Sequence, residues 1–310
     1  MDFRPLGSTG LSISAVSFGT GSLGELFGPL DETDALRLVD EVLDSEINFI
    51  DTAPYYGSAE HRLGKALTPA KRDSVILGTK AGRYGFDDFD YLPRRIRAGL
   101  EDSLRLLGTD HVDILQLHDI EFADLDVLLS DGYAELLALR DEGKCRYIGM
   151  TGYPVKTFTR VMEETDVDVV LTYAKGTLLD DSIRTELLPV AERHGVGLIN
   201  AAAVALGLLT PTGSKILIDA PWPTHVAEAA ERMRALAVDL GVDISFLANQ
   251  YAIQCTGTAT TVIGVGKTKH LRSAIEAADT PVDPELVARF TALRPQVGAL
   301  QWSVGLDENN

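Results

Sequence analysis

Cysteine is almost absent from this chain: Cys145 and Cys255 are the two in 310 residues. Each lies in an apolar stretch and their spacing fits no zinc or redox motif, so free buried thiols are expected and a disulfide framework or metal centre is not. Long apolar runs are missing too. None approaches the ~18 residues that a membrane helix requires. Met1–Pro5 has neither a signal-peptide apolar region nor a transit-peptide composition, so the expected compartment is the cytoplasm. Positive charge is the third scarcity, with 28 Lys and Arg against 46 Asp and Glu for a formal charge of −18. Such a surface repels nucleic acid and anionic membranes, and neither is expected as a partner. An anionic small molecule remains compatible, because backbone amides and one or two lysines neutralise a phosphate locally. Nothing in the sequence assigns an oligomeric state.

Pro/Gly/Ser linkers, low-complexity segments and charge blocks are absent as well, so residues 1–310 read as one domain. What is present is a regular alternation. Phe3–Leu6 and Leu11–Ile13 flank the turn Gly7-Ser8-Thr9-Gly10 and predict a small hairpin. Eight β-rich runs follow, at Ala15–Phe18, Asn48–Asp51, Val75–Thr79, Val112–Leu117, Arg146–Gly149, Val167–Thr172, Gly197–Asn200 and Thr260–Ile263. Helical periods separate them. Asp31 or Thr33 caps one that runs to Asp44, Arg94–Leu107 repeats Ile and Leu at helical spacing, and Val226–Leu240 and Lys269–Ala278 flank the last strand. Near-continuous apolar strands such as Val112–Leu115 suit a parallel sheet buried on both faces. Eight uninterrupted units predict a closed (β/α)8 barrel preceded by a hairpin. Residues 210–224, with Pro211, Gly213, Pro221 and Pro223, read as a long loop after the seventh strand.

Two glycine patterns invite nucleotide readings. Gly19-Thr20-Gly21-Ser22-Leu23-Gly24 matches the dinucleotide fingerprint, but Glu25–Pro29 delays the helix that must follow at once, so a loop after the first strand is the preferred reading. Gly264-Val265-Gly266-Lys267-Thr268 resembles the end of a P-loop, yet Thr261 stands where its first glycine is needed. What survives there is a strand-to-helix turn, with Lys267 and Lys269 nearby, of a kind that holds a phosphate through its amides.

The residues that carry chemistry stand at strand ends. Asp51, Lys80 and His118 end the second, third and fourth strands, and Tyr56 lies in the loop after the second. In a barrel these positions share the mouth where barrel enzymes keep their sites. A tyrosine near pKa 10 is a poor acid or base at neutral pH, and a lysine ammonium beside it is expected to lower that value, with Asp51 keeping the lysine protonated. A histidine orients the substrate oxygen. Such a group suits proton transfer coupled to hydride transfer at a carbonyl or alcohol carbon. Singly, each residue also has a structural reading: Asp51 as a helix cap, Lys80 as a rim ion pair, His118 as a satisfied rim histidine, Tyr56 as packing. Their convergence on one mouth favours the chemical one.

These residues and their spacing, Asp51-x4-Tyr56-Gly57 with Glu60 and Leu63-Gly64, then Thr79-Lys80 and Leu117-His118, resemble the aldo-keto reductase superfamily over nearly the whole chain. The resemblance implies Tyr56 as the proton-transfer residue, Lys80 and Asp51 as its tuning pair, and His118 as the orienter. Within the superfamily the chain is most similar to aldose 1-dehydrogenases of the L-galactose and L-fucose type. That likeness rests on Phe27-Gly28-Pro29, Thr52–Gly57, Lys80–Tyr84, His118–Phe122, Gly149–Pro154 and Gln301-Trp302. It implies oxidation of the anomeric hydroxyl to a lactone, with a sugar or aldehyde as the small-molecule substrate; Tyr84, Phe122 and Trp302 are candidate pocket walls, and each equally suits a packing role.

The resemblance also implies an NAD or NADP site made by Gly19, Thr20, Asp51, Thr151, Gly207, Leu208, Gly264, Gly266, Lys267 and Lys269. Departures from the family pattern lean towards NAD. Thr151-Gly152 replaces a Ser-Asn pair, Ala201 an aromatic residue, Ala202-Ala203-Val204 a Ser-Pro-Leu, Gly266 the arginine for a 2′-phosphate, and Ser273-Ala274 a Glu-Asn pair. Lys267 and Lys269 keep NADP open, since either suits a phosphate. The competing functions are a pyridoxal or general aldehyde oxidoreductase with the same catalytic group, and a cofactor-binding regulatory subunit.

Overall fold

The computed structural model describes residues 1–213, 222–295 and 304–310. The first two strands, β1 (Phe3–Pro5) and β2 (Ser12–Ser14), pair antiparallel as the expected hairpin. The next eight are β3 (Val16–Gly19), β4 (Phe49–Asp51), β5 (Ile76–Ala81), β6 (Val112–Leu117), β7 (Cys145–Gly152), β8 (Val169–Tyr173), β9 (Gly197–Ala201) and β10 (Thr260–Gly264). They pair parallel in chain order and β10 returns to β3, which closes the barrel. Each predicted strand coincides with one of these.

Alternation along the strands makes two apolar layers. Inward side chains such as Phe49, Ile114, Val169, Ile199 and Val262 fill the barrel with Leu6 and Ile13 of the hairpin, which seals the end where the strands begin. Outward side chains such as Val16, Ile50, Leu77, Leu115 and Ile148 pack against the helices. The helix Glu32–Leu43 starts where Asp31 accepts from the Thr33 N–H, so Asp31 is the cap. Pro93–Leu107 ends at Gly108 in the left-handed region, and Thr224–Leu240 and Thr268–Asp279 extend the expected spans by one or two residues.

Two of the longer helices among the described residues were not expected from periodicity. Ile244–Gln254 lies between the Thr224–Leu240 helix and β10, and Pro284–Thr291 follows Asp279. Ile244–Gln254 is apolar nearly all round, with Ile244, Leu247, Ala248, Tyr251, Ala252 and Ile253 buried, so it has little one-sided signal to read. The loop expected over 210–224 lies mostly outside the described residues, as do Pro221 and the Gln301-Trp302 pair; at its end Thr224 already begins a helix. Cys145 is buried and Cys255 half-buried, and both thiols are free. Burial pushes the Cys145 thiol up to about 12, so it is inert at neutral pH.

Candidate active site

Strand register brings the chemical residues together. Asp51 lies beside Gly78, and Lys80 lies beside Gln116. Phe49, Asp51, Gly78 and Lys80 therefore share the inward face, two residues apart on each strand. Gly78 is needed there because a Cβ would press on the Phe49 ring. Thr79 faces the other way and donates at 2.6 Å to Glu60, which Ser103 also serves at 3.0 Å, so the buried Glu60 of the sequence motif ties helix to barrel.

Lys80 Nζ donates to Asp51 Oδ2 at 2.5 Å and to the Thr52 carbonyl at 2.9 Å. Gln116 Nε2 donates to the other Asp51 oxygen at 3.2 Å. Both ions are almost fully buried. Burial raises the Asp51 carboxyl, and the facing ammonium opposes that rise. The Tyr56 ring sits 5.1 Å from Lys80 Nζ, and its centroid is 5.8 Å from that of His118, edge to face. Its hydroxyl makes no hydrogen bond among the described residues.

The expected lowering of the Tyr56 pKa is not what the site produces. Burial, then Asp51 and Asp119, hold the phenol well above 10. The physical reason is that the Lys80 charge is already compensated by Asp51, while Asp119 adds a second negative charge nearby. His118 is shifted well below 6.5 by burial and then by Lys80 and Arg83, so it is neutral at pH 7. Its Nδ1 is buried without a partner among the described residues, and Nε2 lies 3.7 Å from Asp119. Asp51 caps no helix, since the segments after it begin at Ala53 and Ser58.

Tyr56 is held by a backbone clamp. A Cβ on Gly24 would fall on the Tyr56 carbonyl oxygen, and one on Gly57, whose φ is +57°, would press on the Gly24 carbonyl. The third glycine of the apparent dinucleotide fingerprint thus packs against the Tyr56 loop.

All four residues border one cavity of about 680 Å³. It runs from them past Thr151 and the Ala201–Gly207 segment to Gly264, Gly266, His270 and Ser273. Thr151 Oγ1 accepts from the Asp119 N–H at 3.3 Å, which leaves its own hydroxyl proton to donate. Ala202, Ala205 and Leu206 adopt φ values of 55°, 48° and 50°, a strained bend that lies along the cavity wall. Of the residues expected at a cofactor, Gly19, Asp51, Thr151, Gly207, Gly264 and Gly266 border the cavity; Thr20, Leu208, Lys267 and Lys269 do not, and both lysines are exposed. Tyr84 and Phe122 are packing residues: the Tyr84 hydroxyl donates to the Arg95 carbonyl and Phe122 stacks on Phe89.

Sequence reasoning gave no role to several cavity residues. Arg83 is buried, pairs with Asp119 at 2.5 Å and lies 4.0 Å over the Tyr55 ring. Both ions of that pair border the cavity beside His118. Asp243, Ser245 and Asn249 enter from the unexpected helix. The Asp243-x-Ser245 cap was the available signal for it. Among the described residues no group of three His, Cys, Asp or Glu side chains could hold a metal ion, and no helix is long and apolar enough to cross a membrane.

Comparison with known proteins then decides the family. Residues 15–295 match the aldo/keto reductase family. The chain belongs to that family, and it is an oxidoreductase. It is 36% identical to L-galactose dehydrogenase of Arabidopsis thaliana, over 100% of this chain and 99% of that protein. D-threo-aldose 1-dehydrogenase of a Pseudomonas species is 28% identical over 93% of this chain and 96% of its own length. Among solved structures, the holo form of an aldo-keto reductase from Bacillus halodurans superposes with a TM-score of 0.79 at 26% identity, covering 100% of this chain and 99% of the other.

Proposed function

We propose that this aldo/keto reductase is an aldose 1-dehydrogenase that oxidises the anomeric hydroxyl of a sugar of the L-galactose or L-fucose type to a lactone, with NAD as oxidant. The observation that carries the reading is the cavity itself. One end holds a proton-transfer group and the other offers a cradle for a dinucleotide phosphate. A Cβ on Gly264 or Gly266 would meet only ordinary contacts, at 3.6 Å or beyond, and neither has a positive φ. The chain's own packing does not require these glycines, so their bareness leaves open floor. Beside them the Thr268–Asp279 helix begins at Lys267 without a side-chain cap, leaving its first amides for an anion. Gly264, Gly266 and those amides would hold the phosphates, and Thr151 would donate to the carboxamide.

A bound oxidised nicotinamide would supply the hydride acceptor and a positive charge that favours the phenolate. The residues of the chain handle the proton. Tyr56, a phenol in the free chain, gives its own proton to solvent once cofactor and sugar are bound. Its phenolate oxygen then takes the proton of the sugar's C1 hydroxyl as the C1 hydride leaves, and Lys80, held by Asp51, stabilises that phenolate. Neutral His118 hydrogen-bonds the same substrate oxygen and sets its angle. The names of the two relatives, both sugar dehydrogenases, support the substrate class.

The test is turnover of L-galactose, L-fucose, D-arabinose and pyridoxal with NAD and with NADP, followed by nicotinamide absorbance, beside Tyr56→Phe. Sugar oxidation with NAD that the variant abolishes is the expected result. Turnover of pyridoxal alone, or tight cofactor binding with no turnover at all, overturns it.

A further inference from the structure

The end of the cavity away from Tyr56 carries one acidic residue that the proposed chemistry does not use. Asp243 caps the Ile244–Gln254 helix, with Oδ1 accepting from the Ser245 N–H at 2.9 Å and the Phe246 N–H at 3.2 Å. Its second oxygen makes no hydrogen bond among the described residues, and the residue is exposed where it borders the cavity. Gly266, Ser273 and His270 border the same end. His270 sits below its usual pKa through burial and then Lys269 and Lys267, with Asp243 pulling the other way, so its ring is neutral at pH 7. Lys267 and Lys269 are exposed and do not border the cavity. At this end the charge on the described wall is therefore negative.

We infer that Asp243 selects the cofactor: its free carboxylate oxygen accepts from the adenosine ribose diol and rejects a 2′-phosphate at the same place. A carboxylate is an acceptor only, which suits hydroxyl donors, and it meets a phosphate of like charge with repulsion and no hydrogen bond. Discrimination then comes from a repulsive element as much as from an attractive one. The inference rests on the dinucleotide reading above, with the phosphates at Gly264–Gly266 and the adenosine beyond them.

Calorimetric titration of the purified chain with NADH, NADPH, 5′-ADP and 2′,5′-ADP tests it without turnover. The wild type is expected to bind NADH and 5′-ADP about tenfold or more tighter than the 2′-phosphorylated partners. Asp243→Asn and Asp243→Ser both keep a capping side chain while removing the charge. In each, the preference is expected to shrink by about tenfold, mostly through tighter binding of the 2′-phosphorylated ligands. High salt is expected to narrow the wild-type gap and leave the variants unchanged. Binding of both dinucleotides with no wild-type preference, or with a ratio unmoved in both variants, overturns the role of Asp243 alone. Failure of every ligand to bind the wild type overturns the dinucleotide reading and this inference with it.

Discussion

At the barrel end of the cavity, charges are closed inside the protein: Asp51 faces Lys80, Asp119 faces Arg83, and all four are buried. At the far end the wall is bare backbone at Gly264 and Gly266, an uncapped helix start, and a half-free carboxylate on Asp243. The first arrangement stands on strand ends whose hydrogen-bond register determines which side chains meet. The second stands on turns and helix termini that the barrel holds less directly. Buried ion pairs cost desolvation unless geometry is good, so they suit a place where orientation must not drift. Open amides cost little before a ligand arrives and supply donors when it does.

The difference can be broken from either side. The largest expected effect is at the barrel end. Tyr56→Phe removes the proposed proton-transfer oxygen without disturbing the backbone clamp, and should lower kcat by about 10²–10⁴ while the NADH Kd stays within about twofold. Steady-state kinetics beside a binding titration check both halves. A parallel loss of cofactor affinity would mean that the two ends are not separable.

Lys80→Met comes next. It strands a buried carboxylate, and should cost about 3–5 kcal/mol in urea unfolding at pH 7, with part recovered in Lys80→Met/Asp51→Leu. Gly266→Val acts at the other end. It should weaken NADH binding by about tenfold, roughly 1.4 kcal/mol, yet leave the unfolding midpoint nearly unchanged, since the new Cβ meets no crowding. A large loss of stability there would make the glycine a packing residue.

Acid exposes His118. Its folded pKa lies below its unfolded value, so below about pH 6.5 the unfolded chain binds a proton that the folded chain refuses. Wild-type stability relative to His118→Gln should therefore fall towards acid by up to about 1.4 kcal/mol per pH unit, measured as unfolding free energy between pH 7 and 5. The smallest expected effect is Lys267→Ala or Lys269→Ala, which should move the NADH Kd by less than about twofold, because both residues are exposed and neither borders the cavity.

Much of the barrel was legible because its signals are local. Each strand is a short β-rich run next to a helical period, and the order of eight leaves little topological choice. The helix Ile244–Gln254 was not legible, since a segment buried on most sides lacks the periodic contrast on which such a reading depends. Asp51, Lys80 and His118 were found from their positions at strand ends and Tyr56 from the loop after one of them, and the structure sets all four around one cavity. Asp243 and the Arg83–Asp119 pair were not singled out, because their chemistry depends on partners 36 or more residues away or on a helix that periodicity conceals.

The order of the strands, the place of the catalytic candidates and the resemblance to the family are legible in the sequence alone, since each is written in spacing and residue type. The ionisation of those candidates does not. Whether a lysine lowers a neighbouring phenol depends on which counter-charge already holds it, and only the tertiary structure, by setting Asp51 at 2.5 Å from Lys80 with Asp119 close by, decided that Tyr56 stays a phenol in the free chain.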